Sequence, residues 1–260
     1  MNDTNFDGRA RKFADNIYGT SKGQVREAVL WHQLQHRFLP RLGQGDRVLD
    51  AGGGQGQMAR RVAAAGYPVL LNDLSAEMLS MARQRADEAG LASRFQYQQG
   101  AIQQLPQQIA HPYQGVVCHA VLEWASDPQA VLAALAQCLA PGGVLSLAFF
   151  NHLGAEFHNL VAGNFDNLGE AMTNRKTRRV RMVPHSPLRN EQVIEWLETL
   201  GLQVEHQCGV RVIHDYLRDK SLQQSQLERL IELELAYCER VPYRDMGRYT
   251  HLLVSKPEQN

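Results

Sequence analysis

The stretch Val48-Leu49-Asp50-Ala51-Gly52-Gly53-Gly54-Gln55-Gly56 constrains this chain more than any other. An apolar run ends beside an acid, four glycines follow within five residues, and Met58-Ala59-Arg60-Arg61-Val62 then reads as a helix. Glycines at such a junction let the backbone take positive φ and let a ligand approach with no Cβ in the way. In an open parallel sheet, a turn of this kind opens on the crevice at the carboxyl ends of the strands. The spacing is Gly52-x-Gly54-x-Gly56 with Gln57 three places after Gly54, so the dinucleotide pattern G-x-G-x-x-G is not met. Asp50, just ahead of the glycines, would face a cationic or amino-bearing ligand rather than a pyrophosphate.

Similar apolar runs recur downstream: Val69-Leu70-Leu71-Asn72, Phe95-Gln96-Tyr97, Gly115-Val116-Val117-Cys118 and Val144-Leu145-Ser146-Leu147-Ala148-Phe149. Two more extended stretches fall near 204–213 and 249–254. Helical spacing separates them. Trp31, Leu34 and Phe38 mark one stripe, and Leu132, Leu135 and Leu139 a second, stopped by Pro141-Gly142-Gly143. Val193, Trp196, Leu197 and Leu200 form a third stripe, ended by Gly201, and Leu227, Leu230, Ile231 and Cys238 a fourth. Strands alternating with helices predict an α/β, Rossmann-like fold: a mostly parallel, seven-stranded sheet with helices on both faces. The expected organisation is one domain over 1–260. Within it, 1–40 would be an N-terminal helical lid, 41–151 a cofactor-binding core, 152–188 a basic insertion without clear periodicity, and 189–260 a substrate-side part of the sheet.

Charge gives no global direction, since Lys plus Arg and Asp plus Glu number 27 each. The four cysteines, Cys118, Cys138, Cys208 and Cys238, form no C-x-x-C pair. That argues against a metal site or a disulfide framework and fits a reduced, cytoplasmic setting. No leader-like run stands near Met1, no apolar run is long enough to span a membrane, and no obligate protein partner is evident.

Asp73 closes the second run, where acids about 20 residues after such a glycine turn accept hydrogen bonds from a ribose diol. The competing role is to cap the helix that starts near Ser75. His119, at the end of the fourth run, is open between a packed or capping histidine and a residue that touches a ligand in the crevice.

Over about residues 40–150 the chain resembles the class I methyltransferases, whose cofactor is S-adenosylmethionine. The resemblance implies that Gly52, Gly53, Gly54 and Gly56 wrap the methionine part of the cofactor, with Asp50 beneath them and Asp73 on the ribose. Ile102 and Gln103 would lie against the adenine. Many members place an Asp after the glycine of the third strand, where this chain has Ala101; backbone groups or Gln103 would substitute. Arg26 would pair with the methionine carboxylate, the alternative being a surface helix residue. Tyr18, Lys22 and Arg26 would belong to the lid.

More specific strings include Asn16-Ile17-Tyr18-Gly19-Thr20, His119-Ala120-Val121-Leu122-Glu123-Trp124, Val161-Ala162-Gly163-Asn164-Phe165-Asp166 and His214-Asp215-Tyr216-Leu217-Arg218. With these the chain resembles the tRNA 5-carboxymethoxyuridine methyltransferases from about residue 5 to 255. That implies methyl esterification of the carboxylate on a modified wobble uridine, so the partner would be the anticodon region of a tRNA. A carboxylic acid with a pKa of roughly 4 is already the nucleophile at neutral pH, so no general base is expected. Arg211 is the candidate to grip that carboxylate, with His214, Tyr216 and Tyr249 near the base or ribose. From Ala171 to Asn190 there is no acid, while Arg175, Lys176, Arg178, Arg179 and Arg181 cluster there and suit a phosphate-tracking role or a solvated loop. A small-molecule O-methyltransferase and a catalytically silent cofactor-binding module are the rival readings.

Overall fold

The computed structural model describes residues 3–5, 7–8, 19–169 and 187–258. Its strands are β1 (Val48–Ala51), β2 (Val69–Asp73), β3 (Phe95–Gln99), β4 (Tyr113–His119), β5 (Leu139–Phe150), β6 (Gln203–Val210) and β7 (Tyr249–Ser255). They form one sheet in the order β3-β2-β1-β4-β5-β7-β6. The first five pair in parallel, and β7 lies antiparallel between β5 and β6. Strand order runs outward in both directions from the β1–β4 pair. The crevice therefore opens at the carboxyl ends of those two strands.

The helices are α1 (Ser21–Gln33), α2 (Gln57–Ala64), α3 (Ala76–Glu88), α4 (Pro128–Cys138), α5 (His152–Val161), α6 (Asn190–Thr199) and α7 (Leu227–Tyr237), with single turns among them. Their starts follow from local chemistry. The side chains of Thr20, Ser75, Asp127 and Asn151 accept from the N–H groups of Gly23, Met78, Ala130 and Leu153, and Pro128 opens α4. Strand residues alternate between two apolar layers. Leu49, Val116, Leu145 and Leu252 pack with Leu132 and Leu135 of α4 and Val193 and Leu197 of α6. Val48, Val117, Val144 and Leu253 pack with Leu30 of α1, Val62 of α2 and Ala82 of α3. This two-residue period, covered on both sides, explains why every residue of β1 is buried.

Three local expectations are corrected. Pro141-Gly142-Gly143 does not end a helix: α4 stops at Cys138, and Leu139 already begins β5. β6 ends at Val210 rather than near 213, because Arg211 turns to φ +63°. The stretch 152–188 contains α5. Its small residues Gly154 and Ala155 face inward while Leu153, Leu160 and Val161 are exposed, so no inward apolar stripe marked it.

Candidate active site

The glycine turn after β1 is built by close approach. Gly52, Gly54 and Gly56 sit at φ +70°, +56° and +71°. A Cβ on Gly52 would lie 2.5 Å from Cγ2 of Val121, so the turn rests directly on the segment that follows β4. Beneath it, Asp50 is buried. Burial, with the charge of Asp73 nearby, pushes the Asp50 carboxyl up to about 7. Asp73 accepts from the N–H groups of Gly54 and Ser75, each at 2.9 Å. Ser75, not Asp73, caps α3. Asp73 therefore ties the end of β2 to the glycine turn, and burial raises its carboxyl pKa against the pull of those two bonds. Both acids line one crevice, which would favour a ligand carrying positive charge.

That crevice, with the solvent space at its mouth, spans about 1180 Å³. Gly52, Gly53, Gly54, Ile102, Gln103, His119 and Arg26 also line it, whereas Gly56 begins α2 just behind. The Gln103 amide nitrogen donates to Asp3 at 2.9 Å, which leaves its Oε1 buried without a partner among the described residues. An acceptor left open here suits an exocyclic amino group and would stand in for the acid that Ala101 replaces. Asp3 also accepts from the N–H and hydroxyl of Ser126, both at 2.7 Å, so the N-terminal segment spans the crevice from the loop after β3 to the loop after β4. From α1, Glu27 binds Gln57 and the Arg61 side chain and so fixes α1 to α2.

His119 ends β4 at the crevice wall. Its Nε2 lies 2.8 Å from Ser146 Oγ, and the same hydroxyl lies 2.8 Å from Nε2 of His251. The hydroxyl has one proton to give, so one imidazole accepts it while the other donates. The Nδ1 atoms of both rings are buried and have no partner among the described residues. Burial, reinforced by Arg26, drives His119 down to about 3. It is neutral throughout the physiological range. Beside it, Ala120 takes φ +58°, an uncommon conformation for a residue with a Cβ, held by a bond from its N–H to Ala148 at 2.7 Å.

A second cluster lies beyond Tyr249. Both Arg26 and Arg211 stand over the Tyr249 ring, at 5.7 and 5.9 Å. Arg211 does not project freely: its guanidinium makes a two-point contact with Asp215. His214 is buried, with Nδ1 2.8 Å from Asp215 and Nε2 3.0 Å from Ser21, so both ring nitrogens are occupied within the fold. The Tyr216 hydroxyl lies 3.0 and 2.6 Å from the carbonyls of Gly154 and Met246, its one proton going to the nearer, and so holds α5 against the turn before β7. Tyr249 is partly buried and packs edge-on against Phe150. Arg175, Lys176, Arg178, Arg179, Arg181 and Tyr18 lie outside the described residues.

Several residues here carried no sequence signal of their own. Glu234 of α7 accepts from the N–H groups of Val212, Ile213 and His214 at 2.7, 3.0 and 2.7 Å, and so holds the loop bearing Arg211 and Asp215. Glu123 is buried, and burial pushes it up to about 7 against the opposing charge of Arg26. Asp215 is also buried and is held far below the usual carboxylate range: burial would raise it, but Arg211, His214 and Arg248 together outweigh that. Among the described residues, no group of three His, Cys, Asp or Glu is placed to hold a metal, and no helix is long and apolar enough to cross a membrane.

A methyltransferase domain model matches residues 49–147. The chain is 47% identical over 259 residues to the tRNA 5-carboxymethoxyuridine methyltransferase of Escherichia coli (strain K12), which covers 99% of this chain and 98% of that protein. Among solved structures, an S-adenosylmethionine-dependent methyltransferase from Clostridium acetobutylicum matches with a TM-score of 0.62 over 97% of this chain and 99% of that one, at 13% identity. The magnesium protoporphyrin IX methyltransferase from Synechocystis with bound SAH matches with a TM-score of 0.57 over 90% and 83%, at 16% identity. Both likenesses bear on the fold alone.

Proposed function

The chain belongs to the tRNA 5-carboxymethoxyuridine methyltransferase family, and we propose that it esterifies the carboxyl group of that nucleoside at the wobble position of tRNA. It is an S-adenosylmethionine-dependent methyltransferase acting on tRNA. The observation that carries the proposal is the near-complete span of the 47% identity, which includes the substrate-side cluster as well as the cofactor crevice.

When bound, S-adenosylmethionine supplies a methyl group on a positively charged sulfur, open to displacement by oxygen. The chain's own residues fit that molecule. Asp73 would accept from the ribose diol, and the open Oε1 of Gln103 would accept from adenine. Asp50 would support the positive end, Arg26 would pair with the carboxylate of the methionine part, and the glycine turn would let backbone approach closely. The substrate carboxylate is ionised at neutral pH and carries its own lone pair, so no proton has to be removed. Neutral His119 is consistent with that: it shapes and dehydrates the wall of the site rather than acting as a base. The protein's contribution is to hold the oxygen in line with the methyl and to exclude water. The basic run around Arg178 tracks the anticodon backbone in this reading, in the cytoplasm where tRNA is modified.

Incubating the protein with S-adenosylmethionine and tRNA bearing 5-carboxymethoxyuridine tests the reading. The nucleoside should gain one methylene by mass, and mild alkali should remove it as expected for an ester. A gain that survives alkali, or one on another nucleoside, overturns it.

A further inference from the structure

We propose that Arg248, with Arg211 beside it, forms the subsite that takes the carboxylate of the substrate next to the methyl-transfer site; this rests on the tRNA reading above. Arg248 adjoins β7 and packs its guanidinium over Phe150 at 4.9 Å. Its Nε lies 3.7 Å from Asp215, the same carboxylate that holds Arg211. One acid is thus shared by two guanidinium groups. Nη1 of Arg248 is buried and has no partner among the described residues. A buried charged donor left unmet carries a desolvation cost, which an incoming anion would remove.

The surrounding charge points the same way. Arg211 and Arg248 flank Asp215 and Lys22 lies within its field, and burial together with Arg211 and Arg26 holds the Lys22 ammonium below its ordinary range. His214 is spent on Asp215 and Ser21, and Glu234 on three backbone N–H groups. A second anion would complete the set, and the planar fork of a guanidinium matches the two oxygens of a carboxylate.

Position makes that anion the substrate's. Arg26 lines the crevice and stands over Tyr249, Tyr249 packs edge-on against Phe150 at 5.5 Å, and Arg248 covers Phe150. A chain of packed side chains thus links the crevice wall to the cluster. The loop is also built rather than loose, since Arg211 is held at φ +63° and Glu234 clamps the three residues after it. Strain of that kind persists where surrounding structure enforces it, most often at functional sites.

The test measures binding of two tRNAs, one with 5-carboxymethoxyuridine and one with an unmodified uridine, in the presence of S-adenosylhomocysteine so that no turnover occurs. The wild-type protein should prefer the carboxylate-bearing tRNA by about tenfold or more, the effect of one charge-assisted pair. Arg248→Gln should abolish that preference and leave affinity for the unmodified tRNA and for S-adenosylhomocysteine within about twofold. Arg248→Lys, which keeps the charge and loses the fork, should restore part of the preference and guards against a folding defect in the first variant. Equal weakening of both tRNAs would make Arg248 a phosphate contact and overturn the inference. Retained preference in Arg248→Gln would overturn it while the tRNA reading stood. Absence of preference in the wild type would overturn the tRNA reading itself.

Discussion

Asp73→Ala removes one carboxylate that ties the fold together and, in the proposed reading, holds the ligand, and the two effects are separable. In the fold, Gly54 and Ser75 lose the acceptor for N–H groups now held at 2.9 Å. Each buried donor left unmet costs about 1–3 kcal/mol. Deleting the carboxylate also removes its own burial cost, which burial-raised titration reveals, so the net loss of stability should be about 2–3 kcal/mol. On the ligand side, the loss of a charge-assisted contact to a ribose diol should weaken S-adenosylmethionine by about 1.5–3 kcal/mol, roughly tenfold to hundredfold in Kd. Asp73→Asn keeps one oxygen acceptor and should fall between on both scales. Denaturant unfolding without ligand reads the first effect and calorimetric titration of the folded variant reads the second. A folded Asp73→Ala protein with unchanged Kd refutes the ribose assignment, and unchanged stability refutes the tether between β2 and the glycine turn.

Single-turnover methyl transfer at saturating cofactor should stay nearly flat from about pH 6 to 8, because the nucleophile is ionised already and His119 is neutral; a tenfold rise per unit would show a titrating base. Cofactor affinity should behave differently. Asp50, raised to about 7 in the free protein, must ionise to support a cation, so Kd should weaken by up to about tenfold per unit as pH falls below 7, and Asp50→Asn should flatten that slope. The same raised value means that Asp50 adds stability to the ligand-free protein at low pH and withdraws it as pH rises towards 7. Glu234→Gln keeps one acceptor for three N–H groups and should cost about 2–4 kcal/mol of stability; a change below about 0.5 kcal/mol would refute its role in holding the Arg211 loop. Arg178 and Arg179 changed together to Ala should flatten the slope of log tRNA affinity against log salt by about one to two, and an unchanged slope would leave them as solvated residues.

Legibility in the sequence followed the range of the interactions. The sheet was readable because β1, β2, β4 and the second half of β5 are apolar runs with a turn or helix signal beside them, and Gly52 to Gly56 announce their own backbone need. The helix α5 was hidden because Gly154 packs by closeness, not by apolar area: a Cβ there would meet the Gly247 carbonyl at 2.2 Å. The crevice beside the glycine turn was legible for the same local reason as the sheet. The substrate side was not. Arg211 stood out as a cation near a strand end, and its bond to Asp215 is local, but the sharing of that acid with Arg248 depends on the pairing that brings the start of β7 beside the end of β6. The Ser146 hydroxyl that links His119 to His251 joins three strands and has no signature along any one of them.

The most direct test of the central claim uses tRNA isolated from cells that lack this protein, incubated with the purified protein and S-adenosylmethionine and then digested to nucleosides for mass analysis. The 5-carboxymethoxyuridine signal should fall and its methyl ester should rise in equal amount, with no other nucleoside changed and a reaction slowed about tenfold or more when Asp73→Ala is assayed at cofactor concentrations well below its weakened Kd. An unchanged 5-carboxymethoxyuridine signal in a reaction whose protein demonstrably binds S-adenosylmethionine would contradict the assignment.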